Sequence, residues 1–199
     1  MSNFPLSYKL SWLPRFLKPS LRGSAGVFAP AAQALLDPMP ASTVRLAFIG
    51  DISAVANRRV PDVDPVLAGV LSGADLVVGN CESPVVGRPL AKAATRLGAR
   101  HAMTPDFLGR ALEAAGIVPA KLALSVANNH ALDQGPGGFD ETLTVFRDLG
   151  IRAMGMAETP LTRLAIGPLT IGIAAFTQWR NTGPAAFEGR VAMSRDRIY

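Results

Sequence analysis

The sequence contains a single cysteine, Cys81, and only two histidines, His101 and His130. One thiol excludes a disulfide framework and a thiolate zinc site. Two imidazoles exclude a site built mainly from histidine, so any metal must rest on oxygen ligands with at most two ring nitrogens. Charged residues are also scarce, at 18% against 49% hydrophobic, a balance too apolar for a disordered chain and sufficient for a real core. No apolar run approaches the ~18 residues of a membrane helix. Pro5, Pro14, Pro19 and Pro30 interrupt the start of the chain before a long h-region can form. No secretory signal is therefore expected, and the predicted location is cytoplasmic or peripheral to the membrane.

Acidic residues are absent before Asp37, whereas Lys9, Arg15, Lys18 and Arg22 precede it and carry most of the net charge of +5. Interleaved with Tyr8, Trp12, Phe16 and Leu17, these cations could make weak contact with an anionic membrane surface over residues 8–22. Pro14 and Pro19 oppose a continuous helix there and favour a floppy basic leader. No arginine-aromatic module follows the leader, so a nucleic-acid partner is not expected.

A chain of 199 residues predicts one domain with an appendage. Residues 1–42 read as a basic, Pro- and Ala-rich extension ending near Pro38-Met39-Pro40, and residues 43–199 as the domain. Within it, Val44 to Ile49 is a short apolar run ending at Gly50-Asp51, which predicts a buried parallel strand. Strands are likewise predicted from Asp75 to Gly79, from Lys121 to Ala127 and from Ile151 to Met154. Helices are predicted from Pro65 to Ser72, from Pro105 to Ala115 behind a Thr104 cap, and from Gly137 to Leu149 with Gly150 closing it. Leu161 to Ile166 and Leu169 to Phe176 flank Gly167-Pro168 and predict a hairpin. Strand-helix alternation argues for an α/β fold with a largely parallel sheet, in which ligands gather beyond the carboxyl ends of the strands.

Three of the predicted strands end in site-forming residues. The first delivers Asp51, the second Asn80 and Glu82, and the third Asn128, Asn129 and His130. Two carboxylates, amide oxygens and an imidazole at one sheet edge suit Mn²⁺, Mg²⁺, Fe or Zn²⁺, and His130 could instead serve as a general acid. Each residue alone is better explained by helix capping and Asx-turns; the convergence of three strand ends is less easily explained that way. Asp133 is expected to hold the loop that presents His130. Cys81 reads as a small packed side chain, and His101, Arg58 and Arg59 as solvated. Gly135-Pro136-Gly137-Gly138 lacks the Gly-Lys-Ser/Thr that would make it a phosphate loop.

The stretches Phe48-Ile49-Gly50-Asp51, Ala74 through Asn80-Cys81-Glu82-Ser83-Pro84, and Ala127-Asn128-Asn129-His130-Ala131-Leu132-Asp133-Gln134-Gly135 together resemble successive motifs of the CapA/PgsA family, associated with poly-γ-glutamate capsule synthesis. That family is similar to calcineurin-like metallophosphoesterases. The resemblance implies a metallophosphatase-like layered fold, with Asp51 and Asn129 as metal ligands and His130 as ligand or acid. Glu82 joins them as a charge-compensating ligand, with Asn80, Asn128 and Asp133 in support. Ser53 stands where phosphoesterases carry a histidine, and Asn80 where they carry a bridging aspartate. The later His-Trp-Gly-Glu-type motif of the family has no counterpart after His130, so the resemblance implies only the N-terminal part of the domain. It further implies an anionic polymer or phosphate-like substrate and other capsule-synthesis proteins as partners. Three functions follow as expectations: a capsule-synthesis protein with a metal-dependent hydrolase or transferase site, a non-catalytic or degenerate polymer-synthesis subunit, and, least favoured, a phosphoesterase.

Overall fold

The structure is a computed structural model that describes residues 6–10, 13, 44–54, 59–60, 62–90 and 100–194. The chain divides into two compact units, residues 3–43 and, with the first two residues, residues 44–199. In the first unit, α1 (Leu6–Leu10) is a five-residue helix lying in sequence between Pro5 and Pro14, so a short helix forms where the prolines argued against a continuous one. Leu6, Leu10 and Leu13 are exposed. Trp12, Arg15, Phe16, Lys18 and Arg22 lie outside the described residues. Among the described residues, no helix is long and apolar enough to cross a membrane.

The second unit is built on a four-stranded sheet of β1 (Leu46–Ile52), β2 (Leu76–Cys81), β3 (Leu122–Ser125) and β4 (Arg152–Met154), adjacent in that order and all parallel. The connections are α2 (Pro65–Ser72), α3 (Pro105–Ala114) and α4 (Gly135–Leu149). Because the strands are laid down in sequence order, each crossover steps the same way, and the right-handed rule then puts all three helices on one face. Burial agrees. Leu71 of α2, Phe107, Leu108 and Leu112 of α3, and Phe139 and Phe146 of α4 share one core with Val77, Leu122 and Leu124.

The alternate strand positions face the other way. Leu76, Val78, Ala123 and Met154 pack with Leu164 and Ile166, which belong to the antiparallel hairpin of β5 (Leu161–Ile166) and β6 (Leu169–Ala174). The result is a layered α/β fold, helices on one face of a parallel sheet and a β layer on the other, of the metallophosphatase-like kind. After the hairpin, α5 (Pro184–Phe187) returns the chain to the helical side, where Phe187 and Val191 join the first core.

Local chemistry explains the element ends. The Asp64 carboxylate accepts from Val66 N at 2.8 Å and Leu67 N at 3.4 Å, and Thr104 Oγ1 accepts from Phe107 N at 3.2 Å. In each case a proline follows the cap, at a position that needs no N–H. Gly150 closes α4 at φ 78°, a conformation that costs glycine little. The predicted strands are the observed ones with shifted ends. The first runs three residues further, to Ile52, and the second two further, to Cys81, so Asp51 and Asn80 stand inside strands rather than after them. The third is shorter and stops at Ser125.

Candidate metal centre

The site forms at the carboxyl ends of β1, β2 and β3. An irregularity in β1 decides which side Asp51 occupies. Phe48 is paired with Val78, yet Asp51 is paired with Asn80, so β1 spends one residue more than β2 between the two pairs. Strict alternation would group Asp51 with Ala47 and Ile49, which pack toward the helices. The bulge moves it onto the face of Asn80, the re-aiming for which such insertions are known. Asn80 Nδ2 then donates to Asp51 Oδ1 at 2.8 Å and to Glu82 Oε2 at 2.6 Å.

The third strand end is tied to the second by Asn128, which is buried. Its Nδ2 donates to Cys81 O at 2.8 Å and to Asn80 Oδ1 at 3.1 Å, and its Oδ1 accepts from His130 N at 3.0 Å. Asn128 is thus a brace whose amide is fully used. Gly155, which follows β4, allows the chain to pass close to this turn: at φ 82° an added Cβ would lie 2.6 Å from Ala127 Cβ.

His130 Nδ1 lies 2.7 Å from Asp133 Oδ2, and the same oxygen accepts from His101 N at 2.8 Å. The His130 ring stacks on that of His101, with centroids 3.6 Å apart and planes 7° from parallel. His101 was expected to be a solvated loop residue; it is half-buried and packed against His130 instead. Nothing in its sequence surroundings signals this, because it returns from a long connection after β2 and is placed by the Asp133 carboxylate and by Gln134 Nε2, which donates to His101 O at 3.0 Å. Ser53 Oγ lies 3.3 Å from His101 Nδ1.

These contacts bring together Glu82, His101 and His130, whose ligand atoms lie within 4.8 Å of one another and could hold a metal ion. His130 Nε2 and Glu82 Oε1 face each other at 3.8 Å. The donor set passes a chemical test. An ionised Asp133 accepts only, so it holds a proton on His130 Nδ1 and leaves Nε2 with its lone pair toward Glu82, the second-shell arrangement typical of metal-bound histidine. Burial, and next the neighbouring His130, lower the pKa of His101, which keeps its ring in the neutral form that binds metal. Burial raises the pKa of Glu82; the Asn80 hydrogen bond opposes this and the Asp51 charge adds to it.

Cys81, between Asn80 and Glu82, takes no part. It is buried, its Sγ donates to Ser83 O at 3.2 Å, and burial pushes the thiol up to about 12. Ser83 is wholly buried and locks the ends of β1 and β2 together, its Oγ accepting from Ala54 N at 2.7 Å and donating to Ala54 O at 3.0 Å. Arg59 is exposed, and Arg58 lies outside the described residues. A further residue joins the site without any sequence signal: Asn181, after the hairpin, contacts both Asn129 and His130.

A family model described as bacterial capsule synthesis protein PGA_cap matches residues 45–197. That match takes in every strand of the layered unit and every residue of the site. The chain belongs to this family. No curated protein matches it. Family membership agrees with the resemblance carried by the Asn128-Asn129-His130 and Asn80-Cys81-Glu82 motifs. It makes this a capsule-synthesis protein in the general sense, with a cluster at its strand ends that could hold a metal.

Proposed function

We propose that this capsule-synthesis protein binds a divalent transition metal through Glu82, His101 and His130 and acts on an anionic envelope polymer of the poly-γ-glutamate kind. One observation carries the metal reading: two acceptors, His130 Nε2 and Glu82 Oε1, face each other at 3.8 Å while Asp133 occupies the other ring nitrogen. Two acceptors in that relation repel unless a cation or a proton lies between them. Two imidazoles with one carboxylate suit Zn²⁺, Fe²⁺ or Mn²⁺ better than Mg²⁺, which prefers oxygen ligands alone. Asp51 stands beside the trio through Asn80 and lends negative charge at its rim. An ion held there supplies Lewis-acid polarisation of a carbonyl or phosphoryl oxygen, the chemistry of a hydrolase or transferase.

The polymer assignment is supported by family membership and by the exposed cations Arg88 and Arg100, which border the chain segments entering the site at Glu82 and His101. The test is incubation of the full chain, with and without zinc or manganese, with poly-γ-glutamate. Metal-dependent binding or shortening of the polymer, lost in His130→Ala, supports the proposal; no interaction under any metal condition contradicts it.

A second reading, a non-catalytic subunit of polymer synthesis, draws on Asn80. Its amide bridges Asp51 and Glu82 with no charge of its own, leaving the trio a single carboxylate, which is little charge for two cations. Metal binding and polymer binding without any bond cleavage is the outcome that favours it.

A further inference from the structure

Among the described residues, β1 is an edge strand with β2 as its one sheet neighbour. Sheets protect such edges with short strands, charged side chains, proline or a bulge. The opposite edge is protected, because β4 has three residues and begins with Arg152. β1 has seven residues, with no proline and no charge before Asp51, and its bulge falls after Phe48. Leu46 to Phe48 is therefore a regular strand with one side open. The Arg45 carbonyl accepts from Asp75 N at 2.9 Å, on the β2 side, so alternation turns the N–H and C=O of Leu46 and Phe48 outward.

Both faces beside this edge are apolar. Leu46 and Phe48 are in register with Leu76 and Val78 and share their face. Val78 lies in the hairpin core at 8% exposure, whereas Phe48 is 71% exposed, so the hairpin stops short of β1. On the other face, α2 buries Leu71 and exposes Val66, Leu67 and Val70, and it has no charged residue. Ala68 and Ser72 lie against Gly116, just after α3. The flank with Val66 and Val70 therefore turns away from α3, on the β1 side.

We propose that this edge is the interface between two copies of the chain, with their β1 strands paired antiparallel about a two-fold axis at Phe48. A lone strand from another polypeptide would satisfy the edge but leave the α2 flank exposed. A second copy covers both, because a two-fold axis sets the same surface against itself. The spacing fits. A crossover helix covers the strand pair that it joins, so the two α2 axes would stand two strand spacings apart, ~9.6 Å, within the range of roughly 8–10 Å for packed helices. Val66, Leu67 and Val70 then meet their counterparts on one face, and Phe48 meets Phe48 on the other. Charges on such an axis would face their own sign, and the stretch from Leu46 to Gly50 has none. The antiparallel arrangement brings the Arg45 end of each strand beside the Asp51 end of the other, which are opposite in sign. This interface is independent of the metal reading, since the two strand-end sites face opposite ends of the joined sheet.

The test is sedimentation equilibrium of the full-length chain across a range of concentration. The wild type should form a dimer. Phe48→Lys, which sets cation against cation at the axis, and Val70→Glu should each be monomeric with unchanged circular dichroism, because both side chains are exposed in the single copy. Directly opposite residues of a hydrogen-bonded antiparallel pair have Cα atoms about 5.5 Å apart, inside the disulfide range of about 4.4–6.8 Å. In a Cys81→Ala background, Phe48→Cys should therefore give a cross-linked dimer on mild oxidation, and Leu169→Cys, exposed on the hairpin, should not. A wild type that stays monomeric at every concentration overturns the proposal, as does a dimer that survives Phe48→Lys. A dimer lost in Phe48→Lys yet not cross-linked through Phe48→Cys overturns the axis at Phe48.

Discussion

One oxygen of Asp133 serves both histidines of the stack: Oδ2 lies 2.7 Å from His130 Nδ1 and accepts the backbone N–H of His101 at 2.8 Å. The carboxylate therefore orients one ring directly and places the other by its main chain. Asp133→Asn should lower zinc affinity roughly 10–100-fold. It should also cost about 1–3 kcal/mol of stability through the weakened buried hydrogen bonds. Calorimetric titration and urea unfolding check the two effects, and affinity equal to wild type would remove Asp133 from the site.

The pKa shift of Glu82 predicts a pH dependence in metal-free protein. Its folded pKa is raised above the ordinary carboxyl value of 4.5, first by burial. A raised carboxyl contributes stability that is fully present below the unfolded pKa and is lost as pH rises through the folded pKa. Unfolding midpoints in a chelator should therefore fall as pH rises from 4.5 through that higher value. In Glu82→Gln this component should vanish. Parallel pH profiles for the two proteins would contradict the assignment.

Cys81 should behave as an inert thiol. Burial pushes it up to about 12 and leaves it 3% exposed, so almost no thiolate exists near neutrality. A disulfide reagent should label the native protein only as fast as it unfolds, and Cys81→Ala should leave metal binding intact. Rapid labelling of the folded chain would contradict this.

Gly155 should resist any side chain. At φ 82°, with an added Cβ 2.6 Å from Ala127 Cβ, Gly155→Ala combines left-handed strain with a clash against the turn that carries Asn128. The expected cost is on the order of 2 kcal/mol, or roughly 4–8 °C in thermal midpoint for a domain of this size. Thermal unfolding measures it, and an unchanged midpoint would show that the turn yields.

The residues that were legible in the sequence follow apolar runs in register with the sheet. Asn80 and Glu82 close β2, whose interior is buried on both faces and reads as a continuous apolar stretch. Asn128 and His130 follow the equally apolar β3. Asp51 was legible as a residue but not in its facing, because a bulge leaves no mark in apolar alternation and depends on pairing with β2. His101 and Asn181 were not legible as site residues. Each arrives from a connecting segment, held by main-chain and amide hydrogen bonds to residues 32 and 52 positions away in the chain, and polar contacts of that span have no periodicity to read. The helix and hairpin layers followed from composition and turn chemistry, since Thr104-Pro105 and Gly167-Pro168 act within a few residues.

The central claim is that Glu82, His101 and His130 form one metal centre. Its most direct measurement is the zinc or manganese stoichiometry and affinity of the full chain, by equilibrium dialysis with elemental analysis, for wild type and for Glu82→Ala, His101→Ala and His130→Ala. The prediction is one tightly bound ion per wild-type chain and severe loss in all three variants, including His101→Ala, the residue that the sequence alone left outside the site. Retention of the ion in His101→Ala, or no ion in the wild type under any loading condition, would contradict it.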